Sequence, residues 1–208
     1  MLLYGHRGGG TLSEKTLGYE QENNIFAFQT KVSMKCVIES ATSADLDELE
    51  TLYDDLNDYL AATTNYPGWI KGIYPIREDA AVGIKQHNLF VARYNGKIIG
   101  SVILDHHPEE AYQGVRWKVD TDYSSIFVIR TLVVHPCFLK KGVGRMLLDY
   151  SFEQARQAAI KSIRLDVYEK NFPAIRLYEK CGFYYVDTVD LGLGKYGLNE
   201  FKLYEKIM

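Results

Sequence analysis

Residues 126–145 of the chain are IFVIRTLVVHPCFLKKGVGR, and this stretch decides the fold. Its first part is rich in β-branched side chains and is interrupted only by Arg130 and Thr131, which is typical of a strand covered on both faces. A glycine loop follows, and apolar residues then recur at helical spacing between residues 148 and 159. Residues 163–168 alternate between apolar and polar side chains, as in a strand. This strand–helix–strand unit predicts a right-handed crossover between two parallel strands.

Downstream of this unit the sequence predicts a last helix and a closing strand pair. Asn171 suits the N-cap of the helix, Pro173 lies in its first turn, and Gly182 lies where a helix end favours a left-handed residue. Residues 183–189 and 200–206 then predict two strands joined by a glycine-rich loop.

Upstream, residues 89–93 and 98–104 flank an Asn-Gly turn and predict an antiparallel hairpin. Before it, residues 46–60 carry apolar side chains at helical spacing, and residues 77–86 predict a second, shorter helix. The sequence therefore predicts an α/β (α+β) fold, with a mixed, mostly antiparallel sheet that has a parallel pair at its centre and is flanked by helices.

The composition excludes several classes of protein. The 208 residues include 24 Lys and Arg against 27 Asp and Glu, a formal net charge of −3, whereas nucleic-acid-binding surfaces are usually basic. No apolar run approaches the roughly 20 residues of a membrane span, and no secretory signal is present. We therefore expect a cytoplasmic protein with no nucleic-acid or membrane partner. Cys36, Cys137 and Cys181 lack a CxxC spacing, so we expect reduced thiols and no metal site.

The loop after the long strand is a candidate anion site. The free N–H groups and positive dipole of a helix's first turn attract anions, and Gly142 and Gly144 would let a ligand approach the backbone. Lys140, Lys141 and Arg145 add positive charge. The alternative is a tight strand-to-helix turn without a ligand. The loop lacks both the dinucleotide fingerprint and the P-loop signature.

That loop, the strand before it and residues 171–183, NFPAIRLYEKCGF, closely resemble the GCN5-related N-acetyltransferase (GNAT) superfamily. The resemblance covers about residues 35–207. It implies an acyl-CoA N-acyltransferase fold with a splayed parallel central pair, and acetyl-CoA as co-substrate. It also implies that the strand contacts the pantetheine arm and the loop the pyrophosphate. The cofactor-binding residues implied by the resemblance are Leu132, Val133, Val134, Leu139, Lys140, Lys141, Gly142, Val143, Gly144, Arg145, Asn171, Ala174 and Tyr178.

Two departures from the family pattern bear on the mechanism. Leu139 stands where a Gln or Arg usually heads the loop, so Lys140 or Lys141 would supply the charge. Many relatives carry a glutamate as general base on the strand before the loop, but this strand has no carboxylate. The sequence offers other base candidates, which are equally typical of exposed loops. They are Asp105, His106, His107, Asp122 and a water chain.

The expected chemistry is direct attack of a neutral amine on the thioester carbonyl. A primary amine with a pKa of about 10.4 is mostly protonated at pH 7, and neutralising it costs roughly 4.6 kcal/mol. By resemblance, Tyr178 stands beside the CoA sulfur, where its hydroxyl would stabilise the departing thiolate. The alternative for Tyr178 is an amphipathic aromatic residue on a helix. Candidate acceptor-pocket residues, which would otherwise belong to the core, are Tyr66, Trp69, Tyr74 and Trp117.

The predicted function is transfer of the acetyl group of acetyl-CoA to the primary amine of a small molecule. Two alternatives stay open. One is a CoA-binding regulatory protein without turnover, which the missing strand carboxylate favours and the retained Tyr178 disfavours. The other is an N-acetyltransferase for peptide or protein amines. A homodimer is compatible with the sequence, which does not fix the oligomeric state.

The leader carries a second resemblance. Gly5-His6-Arg7-Gly8, Glu22-Asn23 and Ala27-Phe28 resemble the opening of glycerophosphodiester phosphodiesterases. Such a barrel needs about 250 residues and catalytic groups on several strands, so that site cannot be completed here. We expect residues 1–33 to be an N-terminal extension, either a flexible remnant or a docked strand, and residues 34–208 to be the N-acetyltransferase domain.

Overall fold

The computed structural model describes residues 36–208, which form a seven-stranded sheet with helices on both faces. The strands are β1 (Cys36–Ser40), β2 (Leu89–Tyr94), β3 (Lys97–Asp105), β4 (Ile126–Val134), β5 (Ser162–Tyr168), β6 (Tyr184–Val189) and β7 (Phe201–Ile207). The helices are α1 (Leu46–Ala62), α2 (Arg77–Lys85), α3 (Val143–Gln157) and α4 (Phe172–Lys180). The strand order is β1-β2-β3-β4-β5-β7-β6. Each neighbouring pair is antiparallel except β4 with β5, so the predicted fold class is confirmed.

Local signals in the sequence account for the element boundaries. Asn95 and Gly96 have φ values of 50° and 77°, as a two-residue type I′ hairpin turn requires. At the start of α4, the Asn171 side chain accepts a hydrogen bond from the Ala174 amide at 3.4 Å. Gly182, just after α4, has a φ of 85°. The predicted hairpin and the predicted ends of the last helix are therefore confirmed.

The parallel pair at the centre of the sheet separates after a short contact. Ile126 to Val128 of β4 pair with Ser162 to Arg164 of β5, and the pairing stops there. Further along, the register between β3 and β4 slips by one residue between Arg130 and Val133, and Thr131 has a φ of 46°. This β-bulge bends β4 where its partner is lost. We call the space between residues 129–134 of β4 and residues 165–168 of β5 the β4–β5 gap.

The two faces of the sheet are covered by different elements. α1 and α2 pack on one face, against a core that includes Val91 of β2 and Ile103 of β3. Phe90 points to the opposite face, because side chains alternate along a strand, and it stacks on Tyr150 of α3 at 5.2 Å. α3 and α4 thus lie on the face opposite α1. Residues 106–125, which we call the β3–β4 connection, cover the sheet beyond β4, where Tyr112 packs on β4 and β7.

Within residues 36–208, none of the helices has the length and apolarity needed to cross a membrane. Cys36, Cys137 and Cys181 are all free thiols. The leader with its phosphodiesterase-like pattern, and the domain start predicted at Met34, lie outside the described residues.

Candidate active site

The end of β4 offers free backbone groups to the β4–β5 gap. The His135 amide donates to the Ile99 carbonyl of β3 at 2.9 Å. Since successive peptide groups of a strand point to alternate sides, those of Leu132 and Val134 point away from β3 and toward the gap. β5 does not pair with β4 at this level. These groups are therefore available to a ligand that runs along β4 in place of a strand.

The glycine loop continues this line of backbone donors. Gly142, with a φ of 88°, precedes α3, and the first turn of a helix has amides without an internal partner. A Cβ on Gly144 would lie 3.0 Å from Cδ2 of Leu177 on α4 and 3.7 Å from Cγ2 of Val134. A side chain here would press on Leu177, so glycine favours the close contact of the two helices beside the end of β4. The loop thus leaves helix-start amides beside the end of β4 to which an anion could bind.

Side-chain charge at the loop comes from the lysines. Lys140 and Lys141 are exposed, and the Lys141 ammonium lies 5.0 Å from the centre of the Phe138 ring. The Arg145 guanidinium is instead bound to Asp149 one turn along α3, at 2.8 and 2.9 Å. Arg145 can therefore contribute its backbone amide, while its side-chain charge is largely compensated. Leu139 is exposed at the head of the loop.

Tyr178 approaches the gap from the α4 side. Its side chain is buried at 7% exposure, and its ring lies edge-on to Phe183 at 5.8 Å. Within residues 36–208 its hydroxyl has no side-chain hydrogen-bond partner. Burial, together with the nearby negative charge of Asp166, raises the pKa of Tyr178 well above its ordinary value. The hydroxyl is thus a neutral donor that no side chain of residues 36–208 engages.

Asp166 was not among the candidates from sequence, and it lies on the opposite side of the same gap. It is two residues beyond Arg164, the last residue of β5 that pairs with β4. Arg164 pairs with Val128, and Val128 packs against Tyr112, so Asp166, two positions further along β5, faces the β3–β4 connection. The structure therefore places a carboxylate of β5 across the gap from β4, which has none.

The surroundings of Asp166 suit a proton acceptor. The Tyr112 hydroxyl donates to Asp166 Oδ1 at 2.7 Å. Burial raises the pKa of Asp166, while this hydrogen bond and the charge of Arg130 oppose the rise. Arg130 is itself paired with Glu109 and, at 3.4 Å, with Asp105. A carboxylate whose pKa is raised by burial takes up a proton more readily than an exposed one.

The base candidates proposed from the sequence do not lie in the β4–β5 gap. Asp105 pairs with Val128, before the gap opens. Burial would raise its pKa, but hydrogen bonds from His107 and from two backbone amides lower it, which makes it a weaker base. His106 Nδ1 lies 2.8 Å from the Ile126 carbonyl and therefore carries the proton. Asp105, His106 and His107 line a cavity of about 470 Å³ at this end of β3, and Asp122 is exposed.

The predicted acceptor-pocket aromatics separate into two groups. The Tyr74 and Thr131 hydroxyls are hydrogen-bonded at 2.6 Å, beside the bulge of β4, and burial raises the pKa of Tyr74 to about 12. Trp69 lies edge-on to Tyr74 at 5.5 Å. Tyr66 is exposed. Trp117 lies over the Arg164 guanidinium at 4.2 Å and beside the Tyr112 ring at 5.3 Å, whereas the Tyr74 hydroxyl contacts the gap-lining part of β4 through Thr131.

Together these features fit one kind of ligand. Unpaired peptide groups of β4 suit an amide-bearing arm, and the loop suits phosphates at one end of that arm. At the other end Asp166 and Tyr178 flank the gap. The sequence does mark Asp166 as a polar position in the alternating pattern of β5. Its position beside the gap could not be predicted, because it depends on where β4 and β5 separate.

The sequence matches the acetyltransferase (GNAT) family over residues 49–183. It is 31% identical over 136 residues to UPF0157 protein YqkA of Bacillus subtilis, which is 65% of this chain and 34% of that protein. It is 27% identical over 137 residues to an uncharacterized N-acetyltransferase of Methanocaldococcus jannaschii, which is 62% of this chain and 57% of that protein. A third relative is the [ribosomal protein bS18]-alanine N-acetyltransferase of Salmonella typhimurium, 33% identical over 66 residues, 32% of this chain and 43% of that protein. The matched part thus spans about a third to three-fifths of these relatives.

Solved structures share the fold. A GNAT-family acetyltransferase from Streptococcus agalactiae aligns with a TM-score of 0.69 at 20% identity, over 83% of this chain and 95% of that one. The Salmonella typhimurium protein YncA, described with its cofactor acetyl-CoA, aligns with a TM-score of 0.61 at 17% identity, over 83% and 93% of the two chains. With the family match over residues 49–183, the chain belongs to the GNAT family of acetyltransferases, which use acetyl-CoA.

Proposed function

We propose that this enzyme transfers the acetyl group of acetyl-CoA to a primary amine of a small molecule, with Asp166 as general base and Tyr178 as hydrogen-bond donor to the leaving sulfur. One observation carries the proposal. Asp166 and Tyr178 flank the β4–β5 gap from opposite faces of the sheet, Asp166 beside Tyr112 of the β3–β4 connection and Tyr178 on α4. A base on one side and a donor on the other are what aminolysis of a thioester requires.

The cofactor site is proposed from the backbone groups described above. Bound acetyl-CoA supplies an activated acetyl group. Leu132 and Val134 would hold its pantetheine arm through their peptide groups, and the first-turn amides of α3 with Lys140 and Lys141 would hold its pyrophosphate. Asn171 caps α4 through the Ala174 amide, so in our proposal it orients the second wall of the site.

Asp166 addresses the first difficulty of the reaction, which is the protonated state of the amine. Its negative charge attracts an ammonium group to the gap, and its carboxylate can then take up the proton that the amine must lose before it attacks. Arg130 offsets this attraction only in part, because its guanidinium is also paired with Glu109 and Asp105. Tyr112 occupies Oδ1 of Asp166, so Oδ2 is the oxygen that would take the amine proton, directly or through one water molecule.

Tyr178 addresses the second difficulty, which is the charge that develops on sulfur. A thiol has a pKa of about 8.5 and an ordinary tyrosine about 10, and burial raises the pKa of Tyr178 further. Full proton transfer from Tyr178 to the thiolate is therefore uphill. Stabilisation by a hydrogen bond that forms as the thiolate leaves is the role that its chemistry supports.

A small acceptor is supported by the tyrosines that flank the acceptor side of the gap. Tyr74 lies on one flank, with its hydroxyl bound to Thr131, and Tyr112, 2% exposed, lies on the other. In our proposal these two side chains bound the acceptor site in front of Asp166. The second candidate acceptor is the α-amine of a peptide, which is favoured by the 66-residue match to the bS18-alanine N-acetyltransferase.

Release of CoA thiol in the presence of an amine panel tests the proposal. The panel would contain small primary amines, amino acids, polyamines and peptides with a free N-terminus. We expect thiol release that depends on both acetyl-CoA and a small amine. Turnover with peptides alone would favour the second candidate. Tight acetyl-CoA binding without turnover on any amine would support a non-catalytic CoA-binding protein instead.

Gly144→Glu is expected to raise the Kd for acetyl-CoA by about tenfold or more. The added side chain would enter the contact between α3, Leu177 and the end of β4, and its charge would oppose a bound phosphate. A single charge-assisted hydrogen bond is worth about 1.5–3 kcal/mol, or roughly 10–100-fold in affinity. Calorimetry measures the effect, with Gly144→Ala as the control for size. Unchanged affinity in a folded Glu variant would remove the loop from the cofactor site.

We also propose that residues 34–208 fold without the leader. Deletion of residues 1–33 is expected to leave a soluble protein that binds acetyl-CoA with the affinity of the full chain. The sheet, the gap and the glycine loop all lie within residues 36–208. Circular dichroism and calorimetry on both proteins measure the outcome. Loss of soluble protein on deletion would mean that the leader is part of the fold.

A further inference from the structure

The hydrogen bond between Tyr112 and Asp166 joins a loop to the centre of the proposed site. Tyr112 ends a short 3-10 turn, Glu110 to Tyr112, in the β3–β4 connection. Its side chain is 2% exposed and packs on Val128 and Leu203. Its hydroxyl donates to Asp166 Oδ1 at 2.7 Å. Tyr112, a residue of this connection, therefore contacts the carboxylate that we propose takes the amine proton.

The β3–β4 connection is fastened just beyond Tyr112. Trp117 Nε1 donates to the Tyr112 carbonyl at 3.3 Å. The next amide, that of Lys118, donates to Glu205 Oε2 at 2.8 Å, and the Val119 carbonyl accepts from the Arg164 guanidinium at 2.5 Å. Three successive residues thus hold the backbone that carries Tyr112.

The groups that fasten it are buried and paired with each other. Arg164 and Glu205 are 2% and 0% exposed and lie 3.3 Å apart. Glu205 also accepts hydrogen bonds from Ser162 at 2.8 Å and from Tyr184 at 2.6 Å. A buried ion pair whose lone pairs are satisfied has one favourable geometry. Arg164 is two residues from Asp166 on the same face of β5, so the anchor and the carboxylate keep a fixed relation.

We propose that Tyr112 is a positioning residue that holds Oδ1 of Asp166 and leaves Oδ2 to face the acceptor amine, with the Arg164–Glu205 pair fixing the loop that carries it. The proposal rests on the proposed role of Asp166 as general base. It assigns to the β3–β4 connection the function of orienting the carboxylate of β5.

The groups around Asp166 determine the direction in which its pKa should change when Tyr112 is altered. Tyr112 and Arg130 favour the ionised carboxylate, whereas burial and Glu109 favour the protonated one. Tyr74 and Tyr178, the other titratable groups near it, stay neutral at working pH. Loss of the Tyr112 hydroxyl therefore raises the pKa of Asp166, while loss of a side chain that only packs leaves it unchanged.

The test is a ¹³C NMR titration of the Asp166 carboxyl, assigned by its absence in Asp166→Asn, in the full chain and in Tyr112→Phe. We expect the pKa of Asp166 to rise by about one unit in Tyr112→Phe. Tyr123→Phe is the matched control, because Tyr123 lies in the same connection and stacks on Arg164 at 5.0 Å without contacting Asp166; its titration should match wild type. A second variant, 3-fluorotyrosine at position 112, is a stronger donor and should lower the pKa.

Unchanged Asp166 titration in both Tyr112 variants would overturn the proposal. The titration needs no turnover, so it is independent of the proposed activity. If Asp166→Asn is inactive and the titration does not move, the positioning role fails and the general base stands. If Asp166→Asn is fully active, the general base fails and the positioning role with it. With an acceptor in hand, the acid limb of the kcat/KM profile should move upward with the NMR value in Tyr112→Phe.

Discussion

Asp166→Asn is expected to lower kcat/KM by roughly 10²–10⁴, the range for loss of a positioned general base. Asparagine keeps the size of the side chain and an oxygen for the Tyr112 hydroxyl, but it cannot take the amine proton at neutral pH. Affinity for acetyl-CoA should be unchanged, because the proposed cofactor contacts come from β4 and the glycine loop. Steady-state kinetics and calorimetry on the same preparation separate the two effects.

The rival carboxylate is tested in parallel. Asp105→Asn removes the base candidate that the sequence offered at the end of β3, whose pKa is lowered by its hydrogen bonds. If Asp105→Asn shows the large loss and Asp166→Asn does not, the base lies on β3 and the account of the gap is wrong. In wild type, activity should fall as pH drops through the pKa of Asp166. Because burial raises that pKa, this acid limb should lie above the value for an exposed aspartate.

Tyr178→Phe is expected to lower kcat by roughly 10²–10³, the scale for loss of a donor that acts in the transition state. The substitution removes one hydroxyl and keeps the ring that packs on Phe183. Acetyl-CoA affinity should change little. The melting temperature should also change little, because the hydroxyl has no side-chain partner within residues 36–208.

The matched control for Tyr178 is Tyr150→Phe. Tyr150 is a half-buried tyrosine of α3 on the same face of the sheet, and its ring packs on Phe90. Removal of its hydroxyl should leave kcat near the wild-type value. A fall in melting temperature specific to Tyr178→Phe would mean that the hydroxyl satisfies a buried partner and is structural. Full activity of Tyr178→Phe would remove it from the mechanism.

Much of the fold follows from local sequence. The β-branched run of residues 126–134 is β4, the Asn-Gly dipeptide is the β2–β3 turn, and Asn171 caps α4. Each depends on side chains within a few positions of one another. The glycine loop could be placed at the start of a helix for the same reason.

The site depends on contacts that are distant in sequence. The register slip that accompanies Thr131 cannot be predicted from the residues beside it in the sequence. It reflects how β4 leaves β5 and contacts Tyr74, which is 57 residues away. Asp166 is one polar position in an alternating strand, and it becomes a candidate base only because pairing stops at Arg164 and Tyr112 reaches it. Trp117 covers the Arg164 guanidinium and packs beside Tyr112, and its role at the acceptor stays a prediction. The acceptor, the oligomeric state and the cytoplasmic location stay predictions.

Mass spectrometry of the amine after incubation with acetyl-CoA tests the central claim most directly. Wild type and Asp166→Asn would be compared at equal acetyl-CoA saturation, with the amine that gives thiol release as acceptor. The account predicts an amine that gains one acetyl group with wild type, and a product rate lower by roughly 10²–10⁴ with Asp166→Asn. Absence of acetylated amine with wild type, or an equal rate with Asp166→Asn, would contradict it.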